Sequence, residues 1–384
     1  MGFWKQLFIG FSLVLCAVGD APNESKDCSF PAIYNFGDSA SDTGSESAAF
    51  GSLPLPYGET FFHKPAGRAC DGRLLIDFLA ERLRLPYLSA YLNSLGSNYR
   101  HGANFAVGGA TIRRQNASAY QYGISPFSLA IQIKQFDDFK SHANDLYKQA
   151  KTTFERSKLP VPEEFSKALY TLDIGNNDLY VGFQTLSLDQ LHAAIPDMIN
   201  QFVSAVQHLY QQGGRAFWIH NRGPVGCAPV NQFYHPHPPP GLLDKYGCVI
   251  ALNEIAAEFN KQLKVRVIKL RAELSQASIT YVDTYTAAYA LIRNHEKEGF
   301  KNMTAICCGY HVKSVHVPCG AKTSINGSEV YGAPCKDPSK YISWDGVHST
   351  EASYHWLANH ILNGSLSDPP VPITQACHKH YNKL

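Results

Sequence analysis

The residues of this chain best suited to chemistry are a serine, a histidine and an aspartate in short polar segments. Ser39 follows an apolar run that ends at Gly37, and Asp345 and His348 form a D-x-x-H sequence much later in the chain. Acyl transfer by a serine requires a hydroxyl, an imidazole to take its proton, a carboxylate to hold the imidazole, and donors for the developing oxyanion. The D-x-x-H spacing lets one loop or helical turn place both side chains on the same side. Asp345 can then meet Nδ1 of His348 while Nε2 faces Ser39.

Each of these residues has a simpler interpretation when it is taken alone. Gly-Asp-Ser is a common turn sequence, so Ser39 can be a turn residue and nothing more. Asp345 can cap the final helix, and His348 can be a surface histidine. The catalytic interpretation therefore depends on whether other loops bring suitable groups to the same place.

Ser39 lies where a β-prone run changes into a polar loop, and the same change recurs along the chain. Apolar runs predict five strands, within residues 32–36, 102–112, 168–174, 216–220 and 279–282. The second and third runs end in glycine-containing loops that hold Gly108 and Asn177. In open parallel sheets, ligands and catalytic groups collect at the carboxyl ends of the strands. These loops are therefore candidates for one shared site.

Segments with helical periodicity follow these strands, at residues 71–85, 127–150, 188–212, 246–274 and 351–362. Alternation of strands and helices predicts a parallel sheet covered by helices on both faces. We therefore predict an α/β fold, a three-layer α/β/α sandwich around a central, mainly parallel five-stranded sheet. No composition break indicates a linker, so we expect a single domain over residues 28–377.

Composition excludes several classes of protein. The 384 residues are 45% hydrophobic and 17% charged, with a formal net charge of +2. A disordered chain would be richer in charge, and a nucleic-acid-binding domain would be strongly basic. We expect a globular protein that does not bind nucleic acid.

The N-terminal segment has the parts of a secretory signal peptide. Lys5 precedes an apolar run over residues 7–18, and small residues follow it near Gly19. The run is shorter than the roughly 20 residues that a membrane-spanning helix needs. We expect residues 1–20 to be removed and the mature chain to be secreted. Five N-glycosylation sequons agree with this route, at Asn23, Asn116, Asn302, Asn326 and Asn363.

The cysteines predict disulfides and no metal centre. Nine of the ten cysteines lie after the predicted signal peptide, so one thiol is left over if the rest pair. No pair has the C-x-x-C spacing of a zinc site, and the adjacent Cys307 and Cys308 cannot easily aim both sulfurs at one ion. The segment near 302–343 contains four of them and predicts an irregular, disulfide-tied insertion.

With these blocks in view, the chain resembles the plant secreted GDSL esterase/lipases of the SGNH hydrolase superfamily. Four blocks carry the resemblance: F-G-D-S-A-S-D-T-G at 36–44, N-F-A with its glycines at 104–109, G-N-N-D at 175–178 and D-G-V-H at 345–348. Within that family the sequence is most similar to the early-nodulin-like branch, through residues 68–73, 220–224, 307–310 and 367–370.

The resemblance implies a flavodoxin-like SGNH fold, a small-molecule ester substrate, a location in the apoplast or vacuole, no cofactor, and a role for each block. Ser39 would be the nucleophile, His348 the base and Asp345 its partner. The oxyanion hole would consist of the Ser39 and Gly108 backbone N–H groups and the Asn177 side-chain amide, with Gly109 as the alternative to its neighbour.

Two positions depart from the family pattern, Ala40 after the serine and Arg222 after the fourth strand. We expect both at the mouth of the site, where they would influence the choice of substrate.

Three functions fit these residues. The first is a secreted carboxylic ester hydrolase that forms an acyl-serine intermediate and resolves it with water. The second is an acyltransferase that passes the same acyl group, for example a hydroxycinnamoyl group, to an alcohol or acid acceptor. The third is a catalytically silent, wall-associated binding protein, which the intact catalytic blocks disfavour.

Overall fold

The computed structural model describes residues 1, 27–115, 123–233, 239–312 and 315–379. Its main sheet has six strands in the order β10-β5-β4-β3-β1-β2. The strands from β1 to β5 are parallel, and the two-residue β10 pairs antiparallel with β5 at one edge. The strands of the described chain are β1 (Ile33–Gly37), β2 (Gly102–Asn104), β3 (Leu169–Asp173), β4 (Ala216–His220), β5 (Ser278–Val282), β6 (Tyr310–Val312), β7 (Val315–Val317), β8 (Lys322–Ile325), β9 (Ser328–Tyr331) and β10 (Ser367–Asp368).

Helices cover both faces of this sheet because alternate residues of its strands are buried on opposite sides. Tyr34 and Phe36 of β1 lie in a core with α3, α5, α6 and α8, whereas Ile33 lies in a second core with α2, α9 and α10. The helices are α1 (Ser45–Phe50), α2 (Leu75–Arg82), α3 (Leu129–Gln149), α4 (Thr153–Arg156), α5 (Asn176–Thr185), α6 (Leu188–Gln211), α7 (Val230–Phe233), α8 (Ile250–Glu273), α9 (Thr284–Arg293) and α10 (Glu351–Ile361). The predicted three-layer α/β/α sandwich is confirmed.

The ends of α6 illustrate how local sequence sets these elements. Ser187 Oγ accepts a hydrogen bond from the Gln190 N–H (3.2 Å), and Gln190 Oε1 accepts one from the Ser187 N–H (2.9 Å). This reciprocal pair satisfies backbone donors that the first turn leaves open. Gly213, just beyond the helix, has a φ of 103°, a conformation that favours glycine. The sequence indicated this stop correctly.

The insertion is more regular than its sequence suggested. Two antiparallel hairpins, β6–β7 and β8–β9, lie within it. Their strands are only three or four residues long, which is why the expectation of an irregular segment was wrong there. The expected disulfides are present as Cys307–Cys335 and Cys308–Cys319.

Two further disulfides join Cys28 to Cys377 and Cys227 to Cys248, and Cys70 is a buried free thiol. The predicted odd cysteine is thus Cys70.

Three of the predicted sequons, Asn302, Asn326 and Asn363, are exposed. Asn23, Asn116 and almost all of the predicted signal peptide lie outside the described residues. Among the helices that the structure describes, none combines the length and apolar character needed to cross a bilayer.

Candidate active site

Three of the predicted site loops meet at one edge of the sheet. Ser39 follows β1, Gly108 follows β2 and Asn177 follows β3, and β1 lies between the other two strands. Because the three strands are parallel, their carboxyl ends lie at the same edge. The fold therefore places these loops side by side.

Ser39 stands in a tight turn directly after β1. Asp38 Oδ1 accepts a hydrogen bond from the Ala40 N–H (3.1 Å), and the Asp38 carbonyl accepts one from the Ser41 N–H (3.1 Å). A Cβ on Gly37 would lie 2.3 Å from Ser41 Oγ and 2.7 Å from the Asp173 carbonyl oxygen, so only glycine fits before the turn. The turn leaves the Ser39 side chain half-buried at the edge of the sheet.

Two buried amide side chains, those of Asn35 and Asn104, hold this turn in place through hydrogen bonds. Asn35 Nδ2 donates to Asn104 Oδ1 (2.8 Å) and to Ser41 Oγ (3.0 Å). Asn104 Nδ2 donates to the Ser41 carbonyl (2.6 Å) and to Thr43 Oγ1 (3.0 Å). Buried polar groups that satisfy one another in this way rigidify their surroundings. Asn104, the first residue of the second family block, therefore supports the turn that contains Ser39.

Asp42 binds both the first turn of α1 and the loop after β2. Its carboxylate accepts hydrogen bonds from the N–H groups of Gly44 (2.8 Å), Ser45 (2.6 Å) and Glu46 (2.8 Å), and from the Gly108 N–H (2.9 Å). Burial raises the pKa of Asp42 to about 6, against the effect of these four donors. The Gly108 N–H is therefore already engaged, which disfavours the prediction that it stabilises an oxyanion.

The backbone N–H of the neighbouring Gly109 is the alternative donor at this position. Within the described chain, neither the Gly109 N–H nor the Ser39 N–H donates to another protein group. Backbone donors of this kind stabilise an oxyanion when they are held in place beforehand. The geometry thus favours Gly109, the alternative left open by the sequence.

Asn177 and Asp178 have separate roles at the start of α5. Asn177 Nδ2 donates one hydrogen to the Ala110 carbonyl (2.9 Å), and an amide nitrogen carries two hydrogens, so a second remains. Asp178 accepts hydrogen bonds from the N–H groups of Ile112 (2.8 Å) and Arg113 (3.0 Å). The G-N-N-D block therefore positions one amide donor and ties the loop after β2 to the loop after β3.

Asp345 and His348 form the pair that the D-x-x-H spacing predicts. His348 Nδ1 lies 2.8 Å from Asp345 Oδ2, while Asp345 Oδ1 accepts hydrogen bonds from the N–H groups of Val347 (3.0 Å) and His348 (2.8 Å). The carboxylate is thereby fixed by its own loop. With Nδ1 facing Asp345, the other ring nitrogen, Nε2, is the one available to exchange a proton with a substrate or nucleophile.

Tyr57 also contacts the Asp345–His348 pair, although nothing in the sequence indicated this. Its hydroxyl donates to Asp345 Oδ2 (3.1 Å), the same oxygen that faces His348. It lies 288 residues earlier in the chain, in the loop before α2, and no local pattern connects the two.

The electrostatics of the pair suit a general base. Burial alone would lower the pKa of His348, but the charge of Asp345 and the hydrogen bond to it raise that pKa above its ordinary value. Burial would raise the pKa of Asp345, but His348 and the backbone donors hold it below its ordinary value. The carboxylate therefore stays ionised and stabilises a protonated ring.

The serine loop and the histidine loop face one another. The Asp38 carboxylate, adjacent to Ser39, is close enough to raise the pKa of His348. Among the contacts of the described residues there is no hydrogen bond between Ser39 Oγ and His348. Catalytic hydrogen bonds of this kind often tighten only when the substrate binds.

Glu46 is a second residue that sequence reasoning missed. Its carboxylate packs against Gly108, where an added Cβ would lie 1.8 Å from Glu46 Oε2. Its charge also raises the pKa of His348. Glu46 lies two residues after the first family block, so its position in the chain was the available signal.

Arg222 does not lie at the mouth of the site, so that expectation was wrong. The side chain is 0% exposed, and its Nη2 lies 2.8 Å from Asp173 Oδ1. The position after β4 is buried here because α5 and α8 pack against each other beside it. A Cβ added to Gly175, at the start of α5, would lie only 3.1 Å from Arg222 Cδ. Arg222 thus lies beneath the loop that follows β3 and is not placed to contact a bound substrate.

Asp38 belongs to the same buried group of charged side chains as Asp173 and Arg222. Burial, together with the neighbouring charge of Asp173, raises the pKa of Asp38 to about 7, and Arg222 opposes the shift. Asp38 Oδ2 has no hydrogen-bond partner within the described chain.

The described residues offer one group of three His, Cys, Asp or Glu side chains arranged closely enough for a metal, Cys28, Cys377 and His378. Its two cysteines form a disulfide, so their sulfurs are not available as thiolate ligands. This group lies at the chain ends and is not part of the site described above.

A three-layer α/β/α sandwich with a serine after the first strand and an Asp-His pair before the last helix defines a class of protein, the SGNH-type hydrolases. The family pattern described as GDSL-like Lipase/Acylhydrolase matches residues 33–361. The chain belongs to this family, whose enzymes act on ester bonds.

Plant proteins of this family are similar to the chain over nearly its whole length. A GDSL esterase/lipase of Arabidopsis thaliana is 60% identical over 375 residues, covering 98% of this chain and 96% of that protein. The GDSL esterase/lipase ENOD8 of Medicago truncatula is 45% identical, covering 96% and 94%. A protein of Hevea brasiliensis named esterase is 45% identical, covering 97% and 95%. The predicted family and its nodulin-like relatives are therefore confirmed.

Proposed function

We propose that this protein is a secreted carboxylic ester hydrolase that works through an acyl-Ser39 intermediate. The observation that carries the proposal is the 2.8 Å contact between His348 Nδ1 and Asp345 Oδ2, in a loop that faces the Ser39 turn. A histidine held in this way is oriented to take a proton through Nε2. Membership in a family of ester-hydrolysing enzymes supports the same reaction.

In the first half-reaction, Ser39 Oγ attacks the ester carbonyl carbon while His348 Nε2 takes the hydroxyl proton. The negative charge that develops on the carbonyl oxygen is stabilised by the N–H groups of Ser39 and Gly109 and by the Asn177 amide. His348 then gives its proton to the departing alkoxide, and the alcohol leaves. Asp345 stabilises the protonated ring without taking the proton itself.

In the second half-reaction, water attacks the acyl-Ser39 carbonyl carbon and gives a proton to His348. Collapse of the tetrahedral intermediate releases the carboxylic acid, and the proton returns to Ser39 Oγ. If an alcohol takes the place of water, the same steps transfer the acyl group to that alcohol. Hydrolysis and acyl transfer therefore share every residue and differ in the acceptor.

The proposal is tested by incubating the purified protein with acetyl, fatty-acyl and hydroxycinnamoyl esters, with and without alcohol acceptors, in water enriched in ¹⁸O. We expect mass spectrometry to find the label in the released acid. A Ser39→Ala variant is the control for hydrolysis without enzyme. If new esters form in place of labelled acid whenever an alcohol is present, the protein is an acyltransferase. Absence of both products across the panel would contradict the proposal.

Secretion is the second part of the proposal. Four disulfides agree with an oxidising compartment, and three sequons lie on exposed asparagines. Expression in plant cells with and without residues 1–20 tests this part. We expect the full chain in the apoplast or vacuole, with a mass that falls after glycan removal. Retention of the full chain in the cytosol without glycans would contradict secretion.

A further inference from the structure

Two histidines face one another across the first hairpin of the insertion, outside the catalytic triad. His311 on β6 is paired directly with His316 on β7. Their Nδ1 atoms are 2.8 Å apart, and the ring centroids are separated by 4.6 Å. Two ring nitrogens at this distance must share a proton or another cation between them.

Another contact of His311 indicates which of its nitrogens has a lone pair that faces His316. His311 Nε2 lies 3.4 Å from the Cys308 carbonyl oxygen, which can only accept a hydrogen. The ring proton of neutral His311 is therefore placed on Nε2, and its Nδ1 lone pair faces His316. Histidines that bind metals are commonly oriented in this way, through a hydrogen bond from the second ring nitrogen to a carbonyl.

The distance between the two Nδ1 atoms matches the distance between two neighbouring ligand atoms bound to one metal ion. Two ligands about 2.0–2.1 Å from a metal and at about 90° to one another lie about 2.9 Å apart. Tetrahedral ligands at the same bond length lie about 3.3–3.4 Å apart. The observed 2.8 Å thus fits neighbouring positions of a square-planar or tetragonal ion, the geometry that Cu²⁺ and Ni²⁺ prefer.

The hairpin holds this pair in place before any ion binds. The Cys308–Cys319 disulfide closes the base of the hairpin, and Cys307–Cys335 ties the adjacent residue to the end of the insertion. A Cβ on Gly309 would lie 2.5 Å from His311 Nε2, so the ring packs directly on the glycine backbone. A site that is already ordered loses less conformational entropy when it binds a ligand.

A negative charge lies near the pair. The Asp345 carboxylate acts electrostatically on both rings, so a cation at this position lies within reach of it.

We propose that His311 and His316 bind one divalent transition-metal ion, Cu²⁺ or Ni²⁺, through their two Nδ1 atoms. Water completes the coordination. When the ion binds, the proton that the two rings share passes through solvent from His316 Nδ1 to His316 Nε2, so both rings stay neutral and no proton is released. This site shares no residue with the ester-hydrolysing site, and the proposal does not depend on hydrolysis.

The test is a Cu²⁺ titration of the glycosylated protein, purified without a polyhistidine tag and with bound metal removed by a chelator. Binding is measured by calorimetry, and the ligands are identified by electron paramagnetic resonance with pulsed detection of coupled imidazole nitrogens. We expect one tight equivalent with a tetragonal spectrum and two imidazoles. His311→Gln and His316→Gln should each weaken that equivalent at least tenfold.

Matched controls separate this site from the other histidines of the chain. His192→Gln changes an exposed histidine on α6, and a His235→Gln/His237→Gln variant removes the pair in the proline-rich segment. Both controls should bind Cu²⁺ as the wild type does. Wild-type affinity in the His311→Gln and His316→Gln variants would overturn the proposal. If those variants fail to fold, a wild-type spectrum with fewer than two coupled imidazoles overturns it equally.

Discussion

The two sides of the active site are built in different ways. The proposed nucleophile side, with Ser39, Gly109 and Asn177, lies on loops that follow three neighbouring strands of the buried sheet. The proposed base side, with Asp345 and His348, lies between the insertion and α10, where the backbone forms bends and single bridges instead of regular strands. One side is positioned by the core of the fold and the other by local contacts.

Those local contacts are mostly backbone hydrogen bonds to the insertion. The Cys308 N–H donates to the Trp344 carbonyl (2.6 Å), and the Cys307 N–H donates to the Ser343 carbonyl (3.1 Å). Both cysteines are also in disulfides, so the segment before Asp345 is fastened to a cross-linked frame. A part of the site with few core contacts needs covalent or polar ties to keep its geometry. Changes to the two sides should therefore differ in kind as well as in size.

The largest effect is expected on the nucleophile side, from Ser39→Ala. Losing the nucleophile typically removes a factor of about 10⁴ to 10⁶ in kcat. The Ser39 hydroxyl makes no hydrogen bond within the described chain, so the melting temperature should not change. Steady-state kinetics and thermal melting check both expectations. Retention of more than a small fraction of activity would exclude Ser39 as the nucleophile.

On the base side, Asp345→Asn should reduce kcat on the order of 10⁴-fold, less than removal of His348. The wild-type kcat/KM should rise along one limb as His348 loses its proton, with a midpoint above the ordinary histidine value because Asp345 raises that pKa. Without the carboxylate charge, the pKa of His348 should fall, so the remaining rise of kcat/KM should move to lower pH. A pH profile measured for both proteins checks the direction, and an unchanged or upward midpoint would contradict it.

A smaller loss is expected from Asn177→Ala, about 10²- to 10³-fold in kcat with little change in KM. An oxyanion donor acts mainly in the transition state, so ground-state binding should persist. Asn177→Asp, of the same shape but without the amide donor, should lose as much. An effect confined to KM would place Asn177 in substrate binding instead.

The contrast between the two sides of the site is tested by removing one disulfide at a time. Cys308→Ser/Cys319→Ser should lower kcat by about 10- to 100-fold, since a shift of about 1 Å in a catalytic group has effects of this size. Cys28→Ser/Cys377→Ser removes a disulfide at the chain ends and is the control. It should lower the melting temperature and leave kcat unchanged. Equal kinetic losses in the two variants would remove the distinction between the two sides.

The smallest effect is expected from Tyr57→Phe, which removes one donor to Asp345 Oδ2. His348 and two backbone N–H groups still hold the carboxylate, so kcat should fall only about three- to tenfold. Tyr289→Phe is the matched control, since its hydroxyl donates to a different carboxylate, Asp244 Oδ2 (2.8 Å). A loss as large as that of Asp345→Asn would give Tyr57 a role in the chemistry.

The position of Ser39 after a buried strand and the contact between Asp345 and His348 could be predicted from the sequence because both depend on short-range patterns. A buried strand must be apolar, a turn must break it, and a D-x-x-H spacing must bring two side chains together. All five parallel strands and the long helices α3, α6 and α8 could be located for the same reason.

Features that depend on distant residues could not be located. The choice between Gly108 and Gly109 depends on the Asp42 carboxylate, which engages the first of them. Tyr57 reaches Asp345 across 288 residues, and β10 has only two residues with no pattern of their own. The hairpins β6–β7 and β8–β9 were hidden because their strands are short and mostly exposed, so they show little apolar alternation.

The most direct test of the central claim is to label the protein with a fluorophosphonate and locate the adduct by peptide mass spectrometry. These reagents react with a serine that is activated by a histidine. We expect one adduct, on the peptide that contains Ser39, with a labelling rate that rises with pH as His348 becomes neutral. His348→Ala should abolish the labelling, although Ser39 is intact. A protein that is not labelled, or is labelled at another residue, would contradict the account.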